Sequence, residues 1–166
     1  MLEMCDLHGQ YNDIKEEIDR AISEVLSSCH FIRGEAVSAF EQELAAYLGI
    51  RNVIAVGNGT DALQIALMSL GLQPGDEVIT PTFTFIATAE VVALLHLKPV
   101  VIDVDYDTMT ITAEAVERAI TPRTRAIVPV HLFGQNADME DIGMTVFLQI
   151  DGVIFTVFVD GGIIEL

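Results

Sequence analysis

Val53-Ile54-Ala55-Val56-Gly57-Asn58-Gly59-Thr60-Asp61-Ala62-Leu63 opens with four apolar residues, three of them β-branched. Such a run predicts a short buried strand. Gly57, Asn58 and Gly59 then turn the backbone, and Thr60 or Asp61 is placed to cap the following helix, in which Leu63, Ile65, Ala66, Leu67 and Leu70 recur at helical spacing. Gly71 is placed to end it. A strand, a glycine turn and a helix N-terminus together make an anion site: unengaged N–H groups and the positive end of the helix dipole converge, and glycine lets a phosphate come close. The plain alternative is a capped turn that holds nothing. A dinucleotide fingerprint also fits Gly57-Asn58-Gly59-Thr60-Asp61-Ala62, but it needs an acid at the end of the next strand. Asp76 and Glu77 precede that strand, Val78-Ile79-Thr80, so this option fails.

Outward from the turn, the pattern alternates. On the amino-terminal side, Ile14, Ile18, Ile22, Val25, Leu26 and Cys29 share one face of a helix expected over residues 11–29. A second helix is expected over 35–48, with Val37, Phe40, Leu44 and Leu48 inward and Gly49 after its end. On the other side, Val78–Thr80 is a strand, residues 86–96 a helix broken by Lys98-Pro99, and Val100–Asp103 a strand. Thr112 caps a helix over Ala113–Ile120, and Ala126–Val130 is a strand leading into His131-Leu132-Phe133-Gly134-Gln135. Asp138 is placed to cap one more helix. Strands alternating with helices predict an α/β chain in three layers, α/β/α, with a mostly parallel sheet and its ligands at the carboxyl ends of the strands. From Gly143 the character changes. Met144–Ile150 and Val153–Val159 flank Asp151-Gly152, which predicts a β-hairpin; the alternative is a helix over Asp138–Leu148 with a single strand after it.

Composition narrows the function classes. The 166 residues carry a formal net charge of −17. That excess of carboxylates disfavours nucleic acid and anionic membrane surfaces as partners. Two cysteines, Cys5 and Cys29, are too few for a disulfide framework, which makes a cytoplasmic setting the expectation. His8, His30, His96 and His131 are scattered, so no metal site is expected. The apolar tail is broken by Gln149 and Asp151 and is short for a membrane span.

A phosphate cradle beside the aromatic loop Thr82-Phe83-Thr84-Phe85 suggests a planar phosphorylated ligand. In that order the motifs resemble a known family. Gly57-Asn58-Gly59-Thr60-Asp61-Ala62-Leu63, Pro74-Gly75-Asp76-Glu77-Val78, Thr80-Pro81-Thr82-Phe83-Thr84-Phe85, Pro99-Val100-Val101-Ile102-Asp103-Val104, Val130-His131-Leu132-Phe133-Gly134-Gln135 and Ala137-Asp138-Met139 are similar to those of the DegT/DnrJ/EryC1/StrS sugar aminotransferases. Asp6-Leu7, Gln10-Tyr11, Phe31-Ile32-x-Gly34 and Phe40-Glu41 match as well.

The resemblance implies part of a fold-type-I large domain, dimeric, that uses pyridoxal 5'-phosphate to move an amino group from glutamate to a nucleotide-linked keto-sugar in polysaccharide biosynthesis. It implies that Gly59, Thr60 and Asp61 hold the cofactor phosphate, that Phe85 stacks on its ring, and that His131 and Gln135 lie near the site. Asp160, after Val157-Phe158-Val159, stands where the family pairs an Asp with the ring nitrogen. The family's Schiff-base lysine belongs to a serine-rich segment that has no counterpart here. The only lysines are Lys15, on the polar face of the first helix, and Lys98, in a turn before a strand. The expectation is therefore an amino-terminal part, residues 1–142, followed by a divergent apolar tail, 143–166, that does not transaminate by itself. The alternative is a non-catalytic domain that binds a phosphorylated ligand or pairs with a complete homologue.

Overall fold

The computed structural model describes residues 5–147, 156–157 and 164–165. The chain forms two compact units, Met1–Ala55 and Val56–Leu166.

The first unit is a pair of helices, α1 (Leu7–Ser28) and α2 (Glu35–Leu48). Asp6 caps α1 by accepting from the Gly9 N–H at 2.8 Å. Gly49 ends α2 in the left-handed conformation, φ 69°, which only glycine enters without a steric penalty. α2 falls where periodicity places it and α1 starts at Leu7, four residues before the expected start at residue 11, but no residue of either is buried. Ile14, Ile22, Leu26 and Phe40 are exposed, so the expected inward packing of Phe40 is not observed. An apolar stripe specifies a helix; burying it takes a further layer.

The expected strand at Val53–Val56 also needs correction. The segment is not a strand, and Ile54 and Val56 are exposed. A β-branched run becomes a strand only when a neighbour completes its ladder, and among the described residues none does.

In the second unit, α3 (Gly59–Ser69), β1 (Glu77–Pro81), α4 (Ala87–Leu94), β2 (Lys98–Ile102), α5 (Ala113–Ala119), β3 (Thr124–Ile127) and α6 (Met139–Phe147) follow one another. The three strands form a parallel sheet in the order β2-β1-β3, with Ile79 of β1 level with Val100 and Ile127. Alternation along β1 sorts the layers. Val78 packs with Leu63, Ala66 and Leu67 of α3 and Val91 and Val92 of α4. Ile79 packs with Val116 of α5 and Ile142 of α6. The expected α/β/α layering is thus built by one residue step in one strand.

Two differences in the strands have backbone causes. Lys98-Pro99 begins β2 instead of merely breaking a helix. In the described sheet β2 is an edge strand, where a residue lacking an N–H is tolerated. β3 ends at Ile127, although the Val128 N–H still donates to the Ile79 carbonyl at 2.8 Å; Pro129 has no N–H to continue the ladder.

The helix expected after Asp138 forms, with the Asp141 N–H donating to Asp138 Oδ1 at 3.0 Å. It runs through Gly143 to Phe147, so the first arm of the expected hairpin is helical over Met144–Phe147. An N-cap and packing of Ile142 in the core outweigh the low helix propensity of Gly143 and Thr145. Thr156–Val157 pairs antiparallel with Ile164–Glu165. The Asp151-Gly152 turn lies outside the described residues.

Candidate functional site

The connections place three loops and two helix starts at one end of the sheet. β1 and β2 are parallel, and α4 between them must run antiparallel to both. The Lys98 N–H donates to the Asp76 carbonyl at 2.8 Å, and the Gly75 N–H to the His96 carbonyl at 3.0 Å. These bonds mark the amino end of the sheet, and the chain reaches it from the last residues of α3 and of α4 alike. Both helices therefore begin at the opposite, carboxyl end. Gly59-Thr60-Asp61 at the start of α3, Phe85 before α4, Asp103–Asp107 after β2 and His131–Gln135 after β3 all belong to that end. The β1 loop leads to α4 on one face while the β2 and β3 loops lead to α5 and α6 on the other, a reversal that opens a crevice between strand ends.

At the start of α3 the cap is Asn58, not Thr60 or Asp61. Asn58 Oδ1 accepts from the Asp61 N–H at 2.9 Å, and Asn58 Nδ2 donates to Asp61 Oδ2 at 3.0 Å. An asparagine three residues before an acid has the spacing of a reciprocal cap, a signal the sequence carries and the threonine obscures. The cap occupies the Asp61 N–H. The Gly59 and Thr60 N–H groups, first in the helix, have no acceptor among the described residues. A Cβ added at Gly59 would meet nothing within 4 Å. Two N–H donors without an acceptor, beside a glycine with open space, suit a phosphate group, and so fit the one borne by a phosphorylated cofactor.

Phe85 is 68% exposed and its carbonyl accepts from the Thr88 N–H at 3.3 Å, which holds the residue at the start of α4 with its ring outside the core. The preceding loop is tied to β2 by the Thr82 N–H, which donates to the Ile102 carbonyl at 2.8 Å, and by Thr82 Oγ1, which donates to Asp103 Oδ1 at 3.2 Å.

His131 is buried, and its Nδ1 accepts from the Ala137 N–H at 3.0 Å. That bond ties the end of the β3 loop to the approach to α6 and requires a neutral ring. Burial pushes the imidazole below its ordinary value of 6.5. Since the folded value lies below the unfolded one, the linked stability is present above about pH 6.5 and is lost as pH falls toward the folded value. His131→Asn retains an acceptor but cannot titrate. Its thermal midpoint should fall less steeply than that of the wild type between pH 7 and 5, as followed by circular dichroism; equal slopes would remove His131 from the acid response. Gln135 is exposed, its N–H donating to the Leu132 carbonyl at 2.9 Å. Asp160 lies outside the described residues.

Lys98 is at the far end. It begins β2 and donates to Glu77 Oε1 at 3.0 Å. Lys15 pairs with Asp19 on α1 and donates to the Tyr11 hydroxyl at 3.0 Å. A cavity of about 740 Å³ lies between the end of β2 and α5, lined by Asp103, Asp105, Glu114 and Asp141 with Arg118. It belongs to the α5–α6 face, and its carboxylates repel a phosphate. The α3 start, with its unengaged N–H groups, suits a phosphate better. Among the described residues no group of acids, histidines or cysteines is arranged to hold a metal ion, and no helix is long and apolar enough to cross a membrane.

Comparison with known proteins follows the same lines. The UDP-2-acetamido-2-deoxy-3-oxo-D-glucuronate aminotransferase of Pseudomonas aeruginosa is 51% identical over 142 residues, 86% of this chain and 40% of that enzyme. The dTDP-3-amino-3,4,6-trideoxy-alpha-D-glucose transaminase of Streptomyces venezuelae is 44% identical over 135 residues, 81% of this chain and 36% of that enzyme. A DegT DnrJ EryC1 StrS aminotransferase from Brucella abortus superposes with a TM-score of 0.88 at 40% identity, over 95% of this chain and 43% of that one. NtdA from Bacillus subtilis, solved with bound cofactor PMP, superposes with a TM-score of 0.83 at 38% identity, over 91% of this chain and 36% of its own. The chain spans about two fifths of the length of these curated relatives. Its sheet and helices are part of the fold-type-I α/β domain of such enzymes. The DegT/DnrJ/EryC1/StrS aminotransferase family model matches residues 12–145, and the chain belongs to that family.

Proposed function

We propose that this chain is the amino-terminal part of a pyridoxal phosphate-dependent aminotransferase that, when whole, moves an amino group from glutamate to a nucleotide-linked keto-sugar in the cytoplasm. The observation that carries this is the start of α3 at the carboxyl end of the sheet, the end that also carries Phe85, where the Gly59 and Thr60 N–H groups have no acceptor among the described residues and a Cβ at Gly59 would meet nothing within 4 Å. In this proposal Gly59, Thr60 and Asp61 hold the cofactor phosphate. The first two donate through their amides, while Asp61 keeps Asn58 in place as the cap. Phe85 lies against the ring, His131 fixes the β3 loop beside it through Ala137, Gln135 lines the site, and Asp160 pairs with the ring nitrogen. When bound, the cofactor supplies an electron sink for the bonds at the amino-bearing carbon.

Residues 1–142 carry this part of the domain, with 143–166 a divergent tail. By itself the chain does not transaminate. An amine for covalent catalysis must stand at the carboxyl end of the sheet. Lys98 is held by Glu77 at the amino end, and Lys15 by Asp19 on α1.

Pyridoxamine phosphate and pyridoxamine, which cannot condense with surface lysines, separate phosphate recognition from incidental binding. In a calorimetric titration of this chain, the phosphorylated form should bind at least about 10-fold more tightly, a difference of about 1.4 kcal/mol. Equal affinities would overturn the phosphate cradle. A second reading, a domain that pairs with a copy of itself or with a complete homologue, is favoured by the exposed apolar residues Ile14, Ile22 and Leu26 of α1. It predicts a dimer by sedimentation that Ile22→Asp dissociates.

A further inference from the structure

Phe133 combines two costs that a protein normally avoids. Its backbone is left-handed, φ 51° and ψ 31°, inside the 3-10 turn Leu132–Gly134, and its ring is 88% exposed. A bulky residue is rare in that conformation, where glycine or asparagine serves the turn better. Nor does the ring contribute core burial in exchange. The turn is held by the Gln135 N–H, which donates to the Leu132 carbonyl at 2.9 Å, and by the His131–Ala137 bond beyond it. The ring is therefore presented at the rim of the carboxyl end by a braced backbone. Strain and exposure together, at a rim where ligands collect, point to a surface used for contact.

The neighbourhood indicates what kind of contact. From Val128 to Ala137 there is no Asp, Glu, Lys or Arg. Gln135 and Asn136, next along the chain, are both exposed. The rim after β2 is different: Tyr106 is equally exposed, but it stands among Asp103, Asp105 and Asp107. In a chain of net charge −17, this charge-free segment of the rim repels an anion-bearing aromatic ligand less than the rim after β2 does. A flat apolar ring followed along the chain by two exposed carboxamides, of which Gln135 Nε2 reaches the Asn136 carbonyl at 3.4 Å, offers what a nucleobase needs: a surface to stack on, and donors and acceptors for its edge.

We propose that Phe133 is the stacking platform for the base of a nucleoside diphosphate group, with the Gln135 and Asn136 amides at the base edge. This deepens the nucleotide-sugar part of the function proposed above and makes Phe133 a specificity residue.

The test titrates this chain with uridine diphosphate, guanosine diphosphate and inorganic pyrophosphate, in the wild type and in Phe133→Gly and Phe133→Tyr. Glycine suits the left-handed turn, so Phe133→Gly removes the ring without disturbing the fold, and a thermal midpoint at or above the wild-type value confirms this. At least one nucleotide should bind 10-fold or more tightly than pyrophosphate. Phe133→Gly should abolish that advantage, and Phe133→Tyr should keep it. Nucleotides that bind no better than pyrophosphate, or an advantage that survives in Phe133→Gly, would overturn the proposal. Pyridoxamine phosphate titrated in parallel separates the two claims. Its affinity should be the same in all three proteins; failure there would count against the cofactor site and leave the base platform standing.

Discussion

Glu77→Gln should lower the thermal midpoint at pH 7 by roughly 10 °C, because it breaks a buried charge cluster at the amino end of the sheet. Glu77 is only 1% exposed. Its Oε1 accepts from Lys98 Nζ at 3.0 Å and from Arg123 Nε and Nη2 at 3.1 and 2.7 Å, and its Oε2 from Thr121 Oγ1 at 2.5 Å. Glu77 begins β1, Lys98 begins β2, and Thr121 and Arg123 immediately precede β3. One carboxylate thus joins the starts of all three parallel strands, whose crossover connections otherwise leave those ends to the loops. Glutamine keeps the volume but replaces an acceptor oxygen with an amide nitrogen and leaves Lys98 and Arg123 without their counter-charge.

The same cluster sets an acid response. Donation from Thr121, then from Arg123 and Lys98, lowers the Glu77 carboxyl from its ordinary 4.5 to about 2. A carboxyl lowered on folding contributes fully above the unfolded value, and that contribution is lost as pH falls through the folded one. The wild type should therefore lose this advantage over Glu77→Gln as pH falls from about 4.5 to about 2. Denaturant unfolding across that window, followed by circular dichroism, checks it; a gap independent of pH would show that Glu77 acts through shape alone.

The second large effect is on binding and leaves the fold alone. Gly59→Val should weaken pyridoxamine phosphate by roughly 100-fold, about 2.7 kcal/mol, and leave pyridoxamine nearly unaffected. A Cβ at Gly59 meets nothing within 4 Å, so the fold accepts it. In the proposed cofactor site, the methyl groups would instead fill the space through which a phosphate oxygen would reach the Gly59 and Thr60 amides. The thermal midpoint should stay within a few degrees of wild type. A variant that binds both compounds as the wild type does would place the phosphate elsewhere and take with it the roles proposed for Thr60 and Phe85.

Local chemistry set much of the second unit in advance. Thr112 and Asp138 accept from N–H groups three residues on, as small polar residues ahead of an apolar stripe do anywhere. Alternating strand and helix signals required a parallel sheet covered on both faces, because parallel strands need crossovers and crossovers cover faces. Local chemistry was insufficient where two local options were close in energy. Asn58, Thr60 and Asp61 all suit a helix start; α3 begins at Gly59, which makes Asn58 its cap. Residues 144–147 suited helix or strand, and the α6 helix continues through them from Ile142, which is buried beside Val116.

By itself, then, the sequence determined most element types outside Val53–Val56 and Met144–Phe147, the parallel α/β/α layering and the candidate phosphate turn, since these follow from periodicities and caps that act within a few residues. Tertiary structure alone decided that Val53–Val56 has no ladder among the described residues, that no residue of α1 or α2 is fully buried, that His131 is a buried brace while Phe133 is held outward, and that Glu77 gathers charges from residues 21 to 46 positions away. Pairing, burial and charge neutralisation depend on which distant segment arrives beside a residue, and no pattern read along the chain contains that information.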